Sequence, residues 1–280
     1  MRTKRVIARL DVKNNALVKG IHLEGLRVLG TPGLFAKKYY DDSIDELVYM
    51  DVVASLYERN GLIDLVRETA KNIFIPLTVG GGIKTSDDIS ALLHAGADKI
   101  CINTAAVKDP KIISEFAEKF GSSTIVVAIE AIKDTDGSYK VYIDNGREFT
   151  GLDAVEWAVE VQRLGAGEII LTSVDNEGTG KGLNFELIKS IDSKLTIPLV
   201  VHGGVGKSED FVKAFKETSV DGVCAASIFH YEAISHLDLS SVKVKGNTSF
   251  LQKKITKKNL ELCSVSDIKE SLRSNNISIR

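Results

Sequence analysis

Apolar residues gather into short runs bounded by polar and glycine-rich punctuation, and these alternate with longer stretches whose apolar positions fall three and four apart. Val6-Ile7-Ala8-Arg9-Leu10-Asp11-Val12 is the first short run, and 45–51, 75–79, 98–103, 124–130, 167–173, 197–201 and 221–227 follow it. Runs this short and continuous predict strands of a parallel sheet covered on both faces, because a strand with one wet face alternates polar and apolar residues instead. Between them, segments such as 62–70 and 153–164 carry the spacing of amphipathic helices. Strand and helix repeated eight times predict an α/β protein, a single (β/α)8 barrel.

The pattern also repeats at long range. Ile75-Pro76-Leu77-Thr78-Val79-Gly80-Gly81-Gly82-Ile83 is echoed by Ile197-Pro198-Leu199-Val200-Val201-His202-Gly203-Gly204-Val205, an offset of 122 that also carries Glu46 onto Glu168, while 123 carries Asp98 onto Asp221. The barrel is therefore expected to consist of two similar half-barrels. Each copy is an apolar strand running into glycines. Glycine admits the positive φ angles that turn successive N–H groups toward one anion, and a following helix adds the positive end of its dipole. Chemistry in such barrels sits on the loops after the strands, so two copies predict two anion sites in one mouth.

Composition narrows the reading without changing it. The chain has 280 residues, 44% of them hydrophobic, and 36 Lys and Arg against 38 Asp and Glu leave a formal net charge of −2. One large core is affordable at this size, and nothing in the balance favours a nucleic-acid partner. No apolar run approaches the roughly 18 residues of a membrane span, and Met1-Arg2-Thr3-Lys4-Arg5 leads into a strand rather than a cleavable segment, so a cytoplasmic protein with no membrane partner is expected. Cys101, Cys224 and Cys263 are odd in number; Cys101 and Cys224 lie within predicted strands and read as small buried hydrophobes rather than disulfide partners or metal ligands. No metal-ligand spacing occurs, and no cofactor is called for. Residues 1–280 read as one domain with a basic insertion at about 238–262, carrying Lys243, Lys245, Lys253, Lys254, Lys257 and Lys258. The insertion is either a surface loop or a site for a partner or anionic ligand. Beyond it, Ser264 is expected to cap a last helix with Val265, Ile268 and Leu272 on one face.

The candidate chemistry lies at the strand ends. Asp11 and Glu130 close the first and fifth strands, and half-barrel symmetry sets them on opposite sides of the mouth, as a general acid and base on one substrate or as two solvated acids. Lys19, in the first loop, either meets a phosphate or an anionic intermediate or is solvated. Gly81 and Gly82 with Asn103 and Thr104 would hold one phosphate, and Gly203 and Gly204 with Ala226 and Ser227 the other. Thr172, Asp175 and Gly178 lie on the loop after the sixth strand. A small molecule with a phosphate at each end follows as substrate. Strand alternation puts Arg9 on the face of Asp11, where it could pair with that carboxylate and lower its pKa.

Six stretches carry a family resemblance: Leu10-Asp11-Val12-Lys13, Thr78-Val79-Gly80-Gly81-Gly82-Ile83, Ala97-Asp98-Lys99, Ile102-Asn103-Thr104-Ala105-Ala106-Val107, Gly151-Leu152-Asp153-Ala154-Val155-Glu156-Trp157-Ala158 and Gly165-Ala166-Gly167-Glu168-Ile169. Over residues 1 to about 235 the chain resembles the cyclase subunit of imidazole glycerol phosphate synthase. The resemblance implies a (β/α)8 lyase of histidine biosynthesis in a heterodimer with a glutaminase subunit. Ammonia from the partner would react with an N′-phosphoribulosyl formimino aminoimidazole carboxamide ribotide, giving imidazole glycerol phosphate and aminoimidazole carboxamide ribotide. It further implies that Asp11 and position 130 are the acid/base pair, that Arg5, Glu46, Lys99 and Glu168 ring the ammonia entrance at the opposite end of the barrel, and that Asp98 faces the glutaminase. The chain departs from that family at Glu130 and Glu177, where aspartate is usual, and at His202, where a small residue is usual. These departures leave two other readings open: a paralogue that delivers ammonia to a sugar for surface polysaccharide, and a non-catalytic barrel that only activates a glutaminase. Retention of Asp11 and of both phosphate loops speaks against the latter.

Overall fold

A computed structural model describes residues 3–53, 60–237 and 259–280. The first half contains β1 (Arg5–Lys13), β2 (Ala16–Ile21), β3 (Glu24–Gly30), β4 (Glu46–Asp51), β5 (Leu77–Gly80) and β6 (Lys99–Ile102). The second contains β7 (Ile125–Lys133), β8 (Tyr139–Ile143), β9 (Glu148–Asp153), β10 (Glu168–Ser173), β11 (Leu199–His202) and β12 (Gly222–Ala225). Eight of these, in the order β10-β11-β12-β1-β4-β5-β6-β7, pair in parallel, and β7 pairs β10 to close the ring. The fold is the (β/α)8 barrel that the alternating runs predict.

The unbroken apolar strands divide into two layers of core. Val6, Ala8 and Leu10 of β1, with their counterparts on the other strands, face the surrounding helices. Ile7, Val48, Met50, Cys101, Val126, Ala128, Ile170, Val200 and Cys224 fill the barrel axis. This is why the strands read as continuous: both faces are dry. Cys101 and Cys224 are part of the axial filling, buried and free as expected, and Cys263 is free and buried too.

The strand register makes the repeat concrete. Ile7 lies beside Glu46 and Val126 beside Glu168, so Arg9 corresponds to Ala128 and Asp11 to Glu130. Asp98 accepts a bond from the Leu77 N–H at 2.8 Å and Asp221 one from the Leu199 N–H at 3.1 Å, the same strand-linking role in each half. The sequence pattern missed one duplicated feature. After β1 and again after β7 the chain makes an antiparallel hairpin, β2–β3 and β8–β9, where an irregular first loop was expected. Asn14 and Asn15 at one turn, and Asp144 and Asn145 at another, take positive φ angles suited to tight hairpin turns.

The last helix, Val265–Ser274, is capped by Ser264 as expected, in a capping box that Asp267 completes, and buries Val265, Ile268 and Leu272. Lys269 from this helix reaches Asp45, and Ile279 bridges to Lys4, so the chain's end lies along the start of β1. Of the basic insertion, residues 238–258 lie outside the described residues, so its six lysines carry no structural statement. Among the described residues no helix is long and apolar enough to cross a membrane, and no cluster of metal-ligating side chains occurs.

Candidate active site

Asp11 and Glu130 stand at the carboxyl ends of β1 and β7 and are each only 2% exposed. They are not solvated acids at strand ends. A buried carboxylate needs a charge or hydrogen-bond partner, and the two find different ones. Asp11 Oδ1 accepts from Arg9 Nε at 2.8 Å within an equally buried pair. Burial pushes the Asp11 pKa up, but the charges of Arg9 and Lys19 outweigh it and hold the carboxyl below its ordinary value. Glu130 Oε2 accepts the backbone N–H of Gly146 at 2.9 Å, at the tip of the β8–β9 hairpin. There burial dominates, aided by the Asp11 charge, and raises the Glu130 pKa to about 7 against the pull of Arg9 and the Gly146 amide.

The anion loops have the geometry that the glycines predict. Gly81 has φ +110°, and a Cβ there would lie 2.3 Å from the Asp51 carbonyl oxygen; Gly203 has φ +99°, and a Cβ would lie 2.4 Å from that of Ser173. The two contacts are half-repeat equivalents, since 51 and 173 differ by the same offset as the glycines. Both positions require glycine twice over, for backbone sign and for space. Beside each pair a helix begins without a side-chain cap: Thr104–Lys108 from Asn103 and Ser227–His236 from Ala226, with those two residues in similar backbone conformations. Helix N–H groups without a side-chain cap, beside glycines in positive-φ conformations, are what an anion would take up.

Two hollows result. A cleft of about 590 Å³ is lined by Gly81, Gly82, Asn103, Thr104 and Glu130, among others. A smaller one is lined by Gly203, Gly204, Ala226, Ser227, Gly178, Lys19, Glu177 and His202. Most of the expected residues fall into these two sets, with Glu130 on the cleft and Lys19 on the smaller hollow, but Asp11 and Thr172 line neither. Thr172 pairs in register with Glu130, is fully buried, and leaves its hydroxyl without a partner. Asp175 stands apart: it is exposed and accepts from the Lys133 N–H at 2.9 Å, lining neither hollow.

Lys19 is on β2 and buried against Glu177, and its Nζ also donates to the Gly20 carbonyl at 2.9 Å. Glu177 further accepts from the Leu23 N–H at 2.9 Å and, through its own carbonyl, from the His22 N–H at 3.0 Å. This one residue therefore ties the β2–β3 turn across the mouth. Its role was invisible in sequence because its partners lie more than 150 positions away. His202 Nδ1 donates to the Cys224 carbonyl at 2.9 Å, and burial, reinforced by Arg9, lowers the pKa of the ring to about 4. It is neutral near pH 7, so Nδ1 carries the proton and Nε2, which has no partner, is an acceptor.

At the other end of the barrel Arg5, Glu46, Lys99 and Glu168 form a closed ring. Arg5 bonds Glu46 at 3.1 Å and Glu168 at 2.8 Å, and Lys99 reaches each glutamate at 3.3 Å. Arg280 adds a fifth charge 3.6 Å from Glu46, a contact the sequence pattern did not suggest.

A closed barrel of two half-repeats, with a carboxylate pair and two glycine-lined hollows in one mouth, defines a class: a (β/α)8 enzyme working on a small molecule at its carboxyl-terminal face. Residues 5–235 match the histidine biosynthesis protein family, and the chain belongs to it among the imidazole glycerol phosphate synthase cyclase subunits. The chain is 54% identical over 211 residues to imidazole glycerol phosphate synthase subunit HisF of Legionella pneumophila, covering 75% of this chain and 100% of the relative. The subunit HisF of Alkaliphilus metalliredigens is 46% identical, and that of a Hydrogenobaculum species 50%, each over 235 residues, 84% of this chain and 93% of the relative.

Proposed function

We propose that this chain makes imidazole glycerol phosphate from the phosphoribulosyl formimino carboxamide ribotide, releasing aminoimidazole carboxamide ribotide, with ammonia supplied by a glutaminase subunit. The relatives' names, each a subunit of that synthase, support both the cyclase activity and a partner. The observation that carries the reading at this chain's own residues is that two buried carboxylates, Asp11 and Glu130, close the equivalent strands β1 and β7 in a mouth that also holds two glycine-lined hollows. The phosphate ends would bind at Gly81, Gly82, Asn103 and Thr104, and at Gly203, Gly204, Ala226 and Ser227. That arrangement spans the substrate across the mouth and brings its reacting centre to Asp11 and Glu130, which would move its protons. The Arg5, Glu46, Lys99 and Glu168 ring would admit ammonia, with Asp98 on the partner's side. A soluble, cytoplasmic complex follows from that chemistry.

The test is turnover of the ribulosyl substrate by the purified barrel with an ammonium salt. Loss of turnover in Asp11→Asn with retained substrate binding is expected, since a proton-transfer group acts mainly in the transition state. Equal loss of binding would remove Asp11 from that role.

One observation favours a second reading, delivery of ammonia to an activated sugar: a guanidinium, Arg9, is buried beside Asp11. Glu130→Asp separates the two. On the first reading activity on the ribulosyl substrate is retained; if the pocket is shaped around the longer acid, a shift near 1 Å should cost about 100-fold.

A further inference from the structure

We propose that Arg9 is a positioning residue that gives the two carboxylates different work, holding Asp11 in its ionised form as the base and leaving Glu130 as the acid that gives up and regains the proton. The inference rests on the acid/base reading above and deepens it. The half-barrels are symmetric where the carboxylates stand but not one layer below them: β1 offers Arg9, and the equivalent position of β7 is Ala128. One carboxylate therefore has a full counter-charge at hydrogen-bond distance, 2.8 Å, and the other has a backbone amide at 2.9 Å. Two like groups in unlike surroundings are how one site holds an acid and a base at the same pH.

The other groups around each carboxylate reinforce the split. Asp11 also feels Lys19, whose charge holds it in place, while His202, neutral near pH 7, adds no charge there. Glu130 faces Arg9, Asp11, the Gly146 amide and Asn103, and sits near neutrality under these opposing influences. Cys101 and Cys224, the remaining titratable side chains of this layer, are pushed up by burial, Cys101 to about 12, and stay as thiols. Arg9 itself is 2% exposed, and its Nη2 is buried without a partner. The guanidinium thus has a donor unused by Asp11, whose charge stabilises Glu130 when that group is ionised.

Carbon-13 NMR of the Asp and Glu carboxyls, assigned with Asp11→Asn and Glu130→Gln, reads the division without turnover. In the intact protein one carboxyl should titrate near pH 7 and vanish in Glu130→Gln, while the Asp11 signal stays ionised to below its ordinary range. In Arg9→Met the Asp11 titration should move toward neutrality; in Arg9→Lys it should return most of the way. The pH–rate profile with ammonium should follow, one group between pH 5 and 9 in the intact protein and two in Arg9→Met, with kcat falling more than KM rises. An unchanged Asp11 titration in Arg9→Met overturns the proposal. Should Arg9→Met not fold, Asp11 titrating at or above its ordinary value in the intact protein overturns it equally. The NMR result stands even if Glu130→Gln keeps full activity, an outcome that would instead sink the acid/base reading.

Discussion

Glu130 concentrates the chemistry of single residues in this protein. Its folded pKa of about 7 lies above the ordinary value of 4.5, so its contribution to stability is fully present below about pH 4.5 and is lost as pH rises through 7. The loss comes to about 3 kcal/mol at about 1.4 kcal/mol per pKa unit. Glu130→Gln removes that dependence, so the stability gap between variant and parent should shift in the variant's favour by about this amount from pH 4 to pH 8, read by denaturant unfolding at each pH. A gap that is the same at both would mean that Glu130 titrates alike in the folded and unfolded chain, with no effect of its burial. Asp11 runs the other way: its pKa is depressed, so the stabilising contribution holds above its ordinary value and disappears only in strong acid.

At the scale of elements, the two glycine loops make the sharper forecast. Gly203→Ala puts a Cβ 2.4 Å from the Ser173 carbonyl oxygen on a left-handed backbone, and Gly81→Ala does the same against Asp51. Each should destabilise by more than about 1 kcal/mol, and each should weaken phosphate binding in its own half only, as measured by calorimetry with a doubly phosphorylated ligand. Sulfate or phosphate in a crystal should occupy both loops. The glycines were legible because no other residue does this work, and the repeat made them legible twice. The β2–β3 hairpin was not, since its turn carries no Asn-Gly or Asp-Gly pair; the β8–β9 turn does carry Asn145-Gly146, but its second strand, Glu148–Asp153, lacks the alternation that would have marked it as a hairpin. Their strands gain order by pairing with β1 and β7 and by long-range bonds such as Gly146 to Glu130 and Leu23 to Glu177.

On the scale of the whole molecule, the barrel has a charged ring at one end, an apolar axis and a polar mouth. Glu46 meets Arg5, Lys99 and Arg280, so Glu46→Gln leaves Arg5 and Lys99 with Glu168 as the one carboxylate of the ring. Glutamine-driven turnover in the assembled complex should fall relative to ammonium-driven turnover by the same barrel. A parallel fall in both would place the effect on the fold rather than on the ammonia route.

Sequence by itself determined the barrel, its two halves, the glycine loops and the positions of Asp11 and Glu130, because each leaves a local mark: apolar runs, a repeat offset, or a residue type that backbone geometry demands. Even the Arg9–Asp11 contact was readable, since alternate residues of a strand share a face. What only the tertiary structure decided was how those groups are balanced. That Glu130 lies dry against a hairpin amide, that Glu177 anchors Lys19 and the turn over the mouth, that Asp175 turns away, and that Arg280 joins the ring all depend on pairs far apart in the chain. Burial and Coulomb attraction act through space, and the closing of the barrel is what sets those separations.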